Sequence, residues 1–219
     1  MIPPVILGFI GGTGPEGKGL AYRFALAGHE LVIGSRSRAR GEEAAREVAE
    51  RVPAASLRGA ENAGAAREGK IVVLTVPFAA QAATLPSLRE ALEGKIVVST
   101  ATPLAFDGGR PTMPAVPEGS AAEQAQALLP GARVVAAFQN LGAAKLWEGD
   151  ASLEQDVIVC ADDAEAKREV MALAEQIRGV RAVDGGPLAS ARYVEGITAL
   201  LVNINRRYKT LAGVRIVGV

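Results

Sequence analysis

The sequence predicts an α/β fold in which an N-terminal doubly wound parallel sheet is followed by a smaller C-terminal α/β part. Along most of the 219 residues, short β-branched runs alternate with stretches rich in Ala, Glu and Arg, which is typical of a parallel sheet covered by helices. The tetrapeptide Lys-Ile-Val-Val opens two of these runs, at 70–73 and 95–98, and continuous apolar runs suit strands buried on both faces. A glycine-rich turn directly after the first run indicates the Rossmann type of this fold.

The N-terminal half carries most of the regular pattern, in which apolar runs and helical stretches alternate. The first helix is expected to end at Gly28, because glycine readily adopts the left-handed position after a helix. The predicted strands cover 5–10, 30–34, 56–59, 70–76 and 95–100, and the predicted helices cover 17–27 and 40–51.

The pattern changes after Thr100, where residues 102–120 are rich in Pro and Gly. We predict a long loop there, and long loops inside compact domains are often functional. Helices over 121–129, 164–177 and 187–208 and strands over 133–138, 156–161 and 180–184 complete the prediction. We place a boundary near residue 142, between a Rossmann domain (1–142) and a smaller C-terminal domain (143–219). Because the second domain is small, a second subunit is expected to complete its core, with the last helix in the interface.

Composition and charge exclude several classes of function. Lys+Arg and Asp+Glu both number 24, and this balance argues against nucleic acid or an anionic membrane surface as the main partner. Cys160 is the single cysteine, so neither an intrachain disulfide nor a zinc-binding pattern is expected, and its apolar neighbours predict a core residue. The apolar runs are far shorter than the roughly 20 residues of a membrane helix. We therefore expect a soluble cytoplasmic protein without a bound metal.

The segment from Gly12 to Gly17 fits the pattern G-x-G-x-x-G between a strand and a helix. In that position Gly12 allows the tight turn, Gly14 lets the backbone approach a pyrophosphate, and Gly17 lets the helix pack closely. The helix N-terminus offers free N–H groups to phosphates, and Pro15 suits a first helical turn. A carboxylate facing the pyrophosphate would repel it, so Glu16 is expected to point to solvent.

The end of the second strand predicts NADP rather than NAD. NAD-binding units usually place Asp or Glu there to hold the ribose 2′-hydroxyl. This strand instead ends in Ser35 and Arg36, with Arg40 close behind and Thr13 contributing another hydroxyl group. A guanidinium group can bind the 2′-phosphate through paired charge-assisted hydrogen bonds.

The sequence offers few groups for acid–base catalysis. Its single histidine, His29, precedes the second strand and so lies far from the strand ends that face a cofactor. The chain also lacks a Tyr-x-x-x-Lys pair at Tyr193 or Tyr208. This pattern favours direct hydride transfer between two cofactors held face to face, where orientation supplies most of the catalysis.

Several segments together resemble the NADPH-dependent coenzyme F420 reductases. The similar segments are Gly11–Leu20, Gly34–Arg36, Leu74–Pro77, Lys95–Ser99, Gly185–Leu188 and Asn203–Lys209. The resemblance covers nearly the whole chain and implies reversible hydride exchange between NADP and the deazaflavin coenzyme F420 by a homodimer or larger homo-oligomer. The deazaflavin would lie over the nicotinamide, in a cleft formed with the C-terminal domain.

The resemblance also implies roles for individual residues. The residues near the phosphates and ribose are Gly12, Thr13, Gly14, Pro15, Glu16 and Gly17, and those at the 2′-phosphate are Ser35, Arg36 and Arg40. The residues near the nicotinamide are Val76, Pro77, Thr102 and Ala143, and those near F420 are Gln139, Asn140, Leu141 and Thr198. Archaeal members tend to carry a histidine where this chain has Gln139, and glutamine cannot titrate near neutral pH.

Two other functions are compatible with the same NADP-binding domain. One is an NADPH-dependent reductase of another acceptor, such as a flavin, ferric iron or an imine. The other is a non-catalytic NADP(H) sensor, which would bind the dinucleotide without turnover and would need an added segment for a partner. Fold analogy does not decide among these functions. The feature that would distinguish an F420 reductase from a reductase of another acceptor is the lining of the cleft around Thr102, Gln139 and Thr198.

Overall fold

The computed structural model describes residues 2–149 and 151–219, which form ten strands, nine α-helices and two short 3-10 turns. The strands are β1 (Ile6–Ile10), β2 (Glu30–Ser35), β3 (Leu57–Glu61), β4 (Ile71–Leu74), β5 (Ile96–Ser99), β6 (Ala105–Asp107), β7 (Arg110–Thr112), β8 (Arg133–Ala136), β9 (Gln155–Ala161) and β10 (Val180–Asp184). The helices are α1 (Pro15–Leu26), α2 (Arg38–Arg51), α3 (Asn62–Glu68), α4 (Phe78–Thr84), α5 (Arg89–Leu92), α6 (Ala121–Leu128), α7 (Ala143–Leu146), α8 (Ala164–Ala174) and α9 (Ala191–Tyr208).

Eight of the described strands form one sheet in the order β3-β2-β1-β4-β5-β8-β9-β10. The six strands from β3 to β8 in this order pair in parallel. β9 then pairs antiparallel with β8, and β10 pairs parallel with β9. The strand order reverses between β1 and β4, which is the position where open α/β sheets bind ligands. The predicted doubly wound α/β fold is confirmed.

The central strands are buried on both faces, as their continuous apolar runs predict. In β4, Ile71 and Val73 belong to the core cluster on one side of the sheet, and Val72 and Leu74 to the cluster on the other. Burial of each such side chain contributes roughly 1.5–3 kcal/mol to the stability of the folded protein. The α1 helix ends as predicted, with Gly28 at φ +86°.

The segment 102–120, predicted as one loop, contains the β6–β7 hairpin. Asp107 and Arg110 face each other across the two-residue turn Gly108-Gly109, whose φ angles are +52° and +78°. Two glycines with positive φ suit a two-residue hairpin turn. Strands of three residues are too short to show an alternating pattern in the sequence, so the prediction of one long loop was wrong here.

The C-terminal part adds β9 and β10 to the sheet of the N-terminal part. The buried Glu195 of α9 accepts hydrogen bonds from the first backbone N–H groups of α6, those of Ala121 (2.9 Å) and Ala122 (3.2 Å). The two parts thus share one sheet and a helix cap, and their division near residue 142 stays a prediction. In the described ranges we find no helix with the length and apolarity needed to span a membrane.

The sequence predicts structural roles for Cys160 and His29, and the burial and contacts of these two residues agree with such roles. Cys160 is fully buried on β9, and burial raises the pKa of its thiol to about 11, so it is a core residue. The His29 ring accepts a hydrogen bond from the Val5 backbone N–H and contacts the Gln176 side chain. It therefore connects the residue before β1 to the segment after α8, away from the carboxyl ends of the strands.

Candidate functional site

A cavity of about 620 Å³ opens at the carboxyl ends of β1, β2 and β4. This is the point where the strand order reverses, so the fold places the cavity where dinucleotides bind in related folds. Its lining residues are Gly11, Thr13, Gly14, Pro15, Glu16, Gly17, Ser35, Arg36, Arg40, Asn62, Thr75, Val76, Pro77, Ala80, Ala83 and Thr84. We call it the first cavity.

The glycine turn after β1 leaves an open cradle above the start of α1. A Cβ atom on Gly17 would lie 2.6 Å from the Gly12 Cα, so the helix packs against the turn only with glycine there. A Cβ on Gly14 would instead meet no atom within 4 Å and would enter the cavity. α1 begins without a side-chain cap, which leaves its first N–H groups available to an anion. The cradle therefore fits a pyrophosphate.

The end of β2 supplies unpaired positive charge to the same cavity. Ser35 is buried at the strand end, whereas Arg36 and Arg40 are exposed on the cavity rim. Within 2–149 and 151–219, neither guanidinium group has a carboxylate partner, in contrast to Arg38, which pairs with Glu42 at 2.9 Å. Two free guanidinium groups beside a hydroxyl group fit a phosphate monoester.

Glu16 is half-buried and lines the cavity rather than pointing to bulk solvent, so that prediction was wrong. The Oε1 atom of Glu16 is buried without a hydrogen-bond partner among the described residues. Burial raises the pKa of this carboxyl group to about 8. Burial therefore favours the neutral form of this carboxyl group near pH 7, and the neutral form does not repel a pyrophosphate.

A second cavity of about 490 Å³ adjoins the first. Four residues line both cavities: Glu16, Thr75, Val76 and Pro77. The other walls come from the start of α4, the end of β5 and the following loop, namely Phe78, Ala79, Thr100, Ala101, Thr102, Pro103, Leu104, Ala105 and Pro114. These walls are mainly apolar, so the second cavity suits a flat aromatic group.

Two residues predicted near F420, Gln139 and Thr198, and one predicted near the nicotinamide, Thr102, belong to one hydrogen-bonded chain. Thr102 donates from Oγ1 to Thr198 Oγ1 (3.4 Å), and Thr198 donates to the backbone carbonyl of Gln139 (2.8 Å). The Gln139 side chain is buried and donates to the Ser99 carbonyl at 3.1 Å. Thr102 lines the second cavity, and the chain connects that wall to α9.

Some predicted residues lie behind the cavity walls. Gln139, Asn140 and Leu141 are each at most 5% exposed and stand outside the set that lines either cavity, as does Thr198. Gly12 packs over Phe9 and Ile33 beneath the glycine turn, and Ala143 starts α7 against Gly19 of α1. Their contacts with a cofactor stay predictions.

Among the lining residues that the sequence-based site prediction lacked are two polar residues at strand ends, Asn62 and Thr75. Asn62, at the start of α3, accepts a hydrogen bond from the Gly11 backbone N–H at 3.0 Å. Thr75 donates to the Ile10 carbonyl at 3.1 Å. Both are polar residues directly after a parallel strand, and that position was the available signal for a site at the strand ends.

Comparison with known proteins agrees with this geometry. Residues 6–103 match the family model described as NADP oxidoreductase, coenzyme F420-dependent. A protein of Methanocaldococcus jannaschii named F420-dependent NADP reductase is 43% identical over 217 residues, covering 96% of this chain and 97% of that protein. The protein of the same name from Methanothermobacter marburgensis is 42% identical over 214 residues, covering 94% and 96%.

A solved structure from Arthrobacter sp. FB24, named as a candidate F420-dependent NADP reductase, has the same fold. It superposes with a TM-score of 0.80 at 28% identity, covering 95% of this chain and 96% of that one. The matches to these relatives span both the N-terminal and the C-terminal parts of the chain. This chain belongs to the F420-dependent NADP reductase family.

Proposed function

We propose that the protein transfers a hydride reversibly between NADP(H) and coenzyme F420. The observation that carries the proposal is the meeting of two cavities along Glu16, Thr75, Val76 and Pro77. The first cavity has the groups that a phosphorylated dinucleotide needs, and the second has apolar walls that suit a deazaflavin. Two ring systems that meet at a shared wall can react directly, because orientation supplies most of the catalysis in such a transfer.

In this proposal each end of the dinucleotide has its own residues. Arg36 and Arg40 hold the 2′-phosphate with Ser35, and the cradle above Gly14 receives the pyrophosphate. The nicotinamide then lies at the shared wall, beside Val76. When bound, NADP(H) and F420 supply the hydride donor and acceptor carbons.

The protein's own contribution is to bind, orient and exclude water. The apolar walls of the second cavity separate the reacting rings from solvent, which prevents loss of the hydride to side reactions. Thr102 is held by Thr198 and limits the position of the deazaflavin at that wall. Among the described lining residues, Glu16 is the one carboxyl group.

An acceptor panel tests the proposal. NADPH is mixed with a catalytic amount of protein and, in separate reactions, with F420, FMN, FAD or ferric citrate. We expect loss of absorbance of oxidised F420 alone. Turnover of FMN, FAD or ferric citrate instead would move the function to another acceptor, and NADPH binding without any turnover would favour the sensor.

We also propose that the protein works as a homodimer or larger homo-oligomer in the cytoplasm. Three large side chains of α9 are exposed: Tyr193 (73%), Leu200 (57%) and Tyr208 (71%). Exposed apolar side chains along one helix are typical of a subunit interface. A dinucleotide substrate and a single buried thiol fit the cytoplasm.

A further inference from the structure

Glu16 occupies an unusual position for an acidic residue. It is the second residue of α1, at the helix end that faces the pyrophosphate cradle, and it lines both cavities. Its Oε1 atom is buried and has no partner in the described part of the chain. A buried oxygen without a hydrogen bond is costly to a folded protein, and such an atom in a cavity wall suggests a partner on the ligand.

The place of Glu16 identifies the part of the ligand that it meets. Ser35, Arg36 and Arg40 mark the 2′-phosphate end of the first cavity. Glu16 lies at the junction with the second cavity, which none of those three residues lines. In a dinucleotide bound between that end and this junction, the nicotinamide is the group at Glu16.

We propose that Glu16 binds the nicotinamide end of NADPH as a neutral carboxylic acid, so that NADPH binding requires a proton on this side chain. The proposal rests on the proposed NADP(H) site. The protonated carboxyl group has one O–H donor and one carbonyl acceptor, which match the oxygen and the NH₂ group of a nicotinamide carboxamide. The ionised form could only accept, and it would add a negative charge beside the pyrophosphate.

The surrounding charges agree with a neutral form. On α1, the neighbouring Lys18 is paired with Glu47 of α2. Arg36 and Arg40 line the first cavity but not the second. The β4 loop, α4 and the β5 loop bring only uncharged residues to the two walls. Burial without a facing cation raises the pKa of the carboxyl group to about 8, so the neutral form is available at physiological pH.

The test is NADPH binding as a function of pH, measured by fluorescence titration without F420. For the wild type, we expect the dissociation constant to rise about 30-fold between pH 7.0 and 9.5, since binding above a pKa of about 8 requires protonation. Glu16→Gln keeps a donor and an acceptor but cannot titrate, so its affinity should change less than threefold. Glu16→Ala should bind about tenfold more weakly at pH 7.0 because both hydrogen bonds are lost.

The fragment adenosine 2′-phosphate provides a matched control, because it occupies the Arg36 end and lacks both the pyrophosphate and the nicotinamide. Its affinity should be equal for the wild type and Glu16→Gln throughout the pH range. If the NADPH dissociation constants of the wild type and Glu16→Gln changed in parallel with pH, the proposed role of Glu16 would be overturned, while the NADP site would stay in place. A wild-type dissociation constant that did not change with pH would have the same meaning. Absence of NADPH binding at every pH would overturn the proposed function as well.

Discussion

At the scale of single residues, we propose that cofactor choice depends on Arg36 and Arg40, which have no carboxylate partner among the described residues. We predict that Arg36→Ala weakens NADPH binding about ten- to hundredfold, because a charge-assisted hydrogen bond contributes roughly 1.5–3 kcal/mol. NADH lacks the 2′-phosphate, so its affinity should change less than threefold. Equilibrium titration with both dinucleotides measures the difference.

Arg38→Ala is the matched control for this substitution. Arg38 is exposed two residues further along, but it pairs with Glu42 and lies outside the first cavity. Its removal should leave both affinities unchanged. Equal losses of NADPH affinity in Arg36→Ala and Arg38→Ala would mean that the general positive charge of this surface, rather than Arg36, binds the phosphate.

A second residue-scale prediction concerns Glu195, whose pKa is raised to about 7 mainly by burial. The folded protein therefore keeps a proton that the unfolded chain releases near pH 4.5. The contribution of this group to stability is full below pH 4.5, and it falls as the pH rises to 7. We expect a loss of about 2–3 kcal/mol in the free energy of unfolding across this window.

Denaturant unfolding from pH 4.5 to 8 checks this prediction. The pKa of Glu16 is also raised by burial, so Glu16 also makes the protein less stable as the pH rises. The informative quantity is therefore the difference in the free energy of unfolding between the wild type and Glu195→Gln. The variant should show a shallower decline over the window. Glu175→Gln, at an exposed position of the same C-terminal part, should follow the wild type. A Glu195→Gln curve parallel to the wild type would contradict the assignment.

At the scale of elements, two glycines of one turn have separable tasks. Gly17→Ala places a Cβ 2.6 Å from the Gly12 Cα, and we expect it to destabilise the protein by about 1–3 kcal/mol. Gly14→Ala meets no atom within 4 Å and should leave the melting temperature unchanged. Its Cβ enters the cradle, however, so NADPH should bind at least about tenfold more weakly.

Calorimetry and NADPH titration of the two variants separate these effects. For a chain of this size, each kcal/mol corresponds to about 2–4 °C in melting temperature. The account requires that Gly14→Ala melts like the wild type and binds poorly. If Gly14→Ala retained full NADPH affinity, the pyrophosphate would have to lie elsewhere.

The elements that the sequence predicts well are those with local signals. The glycine turn and the Ser35-Arg36 end of β2 each carry their signal within a few residues of a strand. The buried position of Gln139 could not be predicted in this way, because its partners Ser99 and Thr198 are 40 and 59 residues away. The position of Glu16 between two cavities likewise could not be predicted locally, because the walls of the second cavity extend to Pro114.

At the scale of the whole molecule, assembly is expected to depend on α9. We predict that Leu200→Glu shifts the protein towards monomers at micromolar concentration, because it places a charge in the apolar face formed with Tyr193 and Tyr208. Sedimentation velocity measures the change. Leu26→Glu, at another exposed leucine (40%), is the control and should leave assembly unchanged. A monomeric wild type at the same concentration would contradict this interface.

The central claim is direct hydride transfer between NADPH and F420 across the shared wall of the two cavities. Isotope transfer tests it most directly. NADPH carrying deuterium at one or the other C4 position is oxidised by F420 in ordinary water, and the reduced coenzyme is analysed by mass spectrometry. We predict that one of the two labelled forms gives reduced F420 with one deuterium atom per molecule. Reduced F420 without deuterium from either form, at full turnover, would contradict direct transfer.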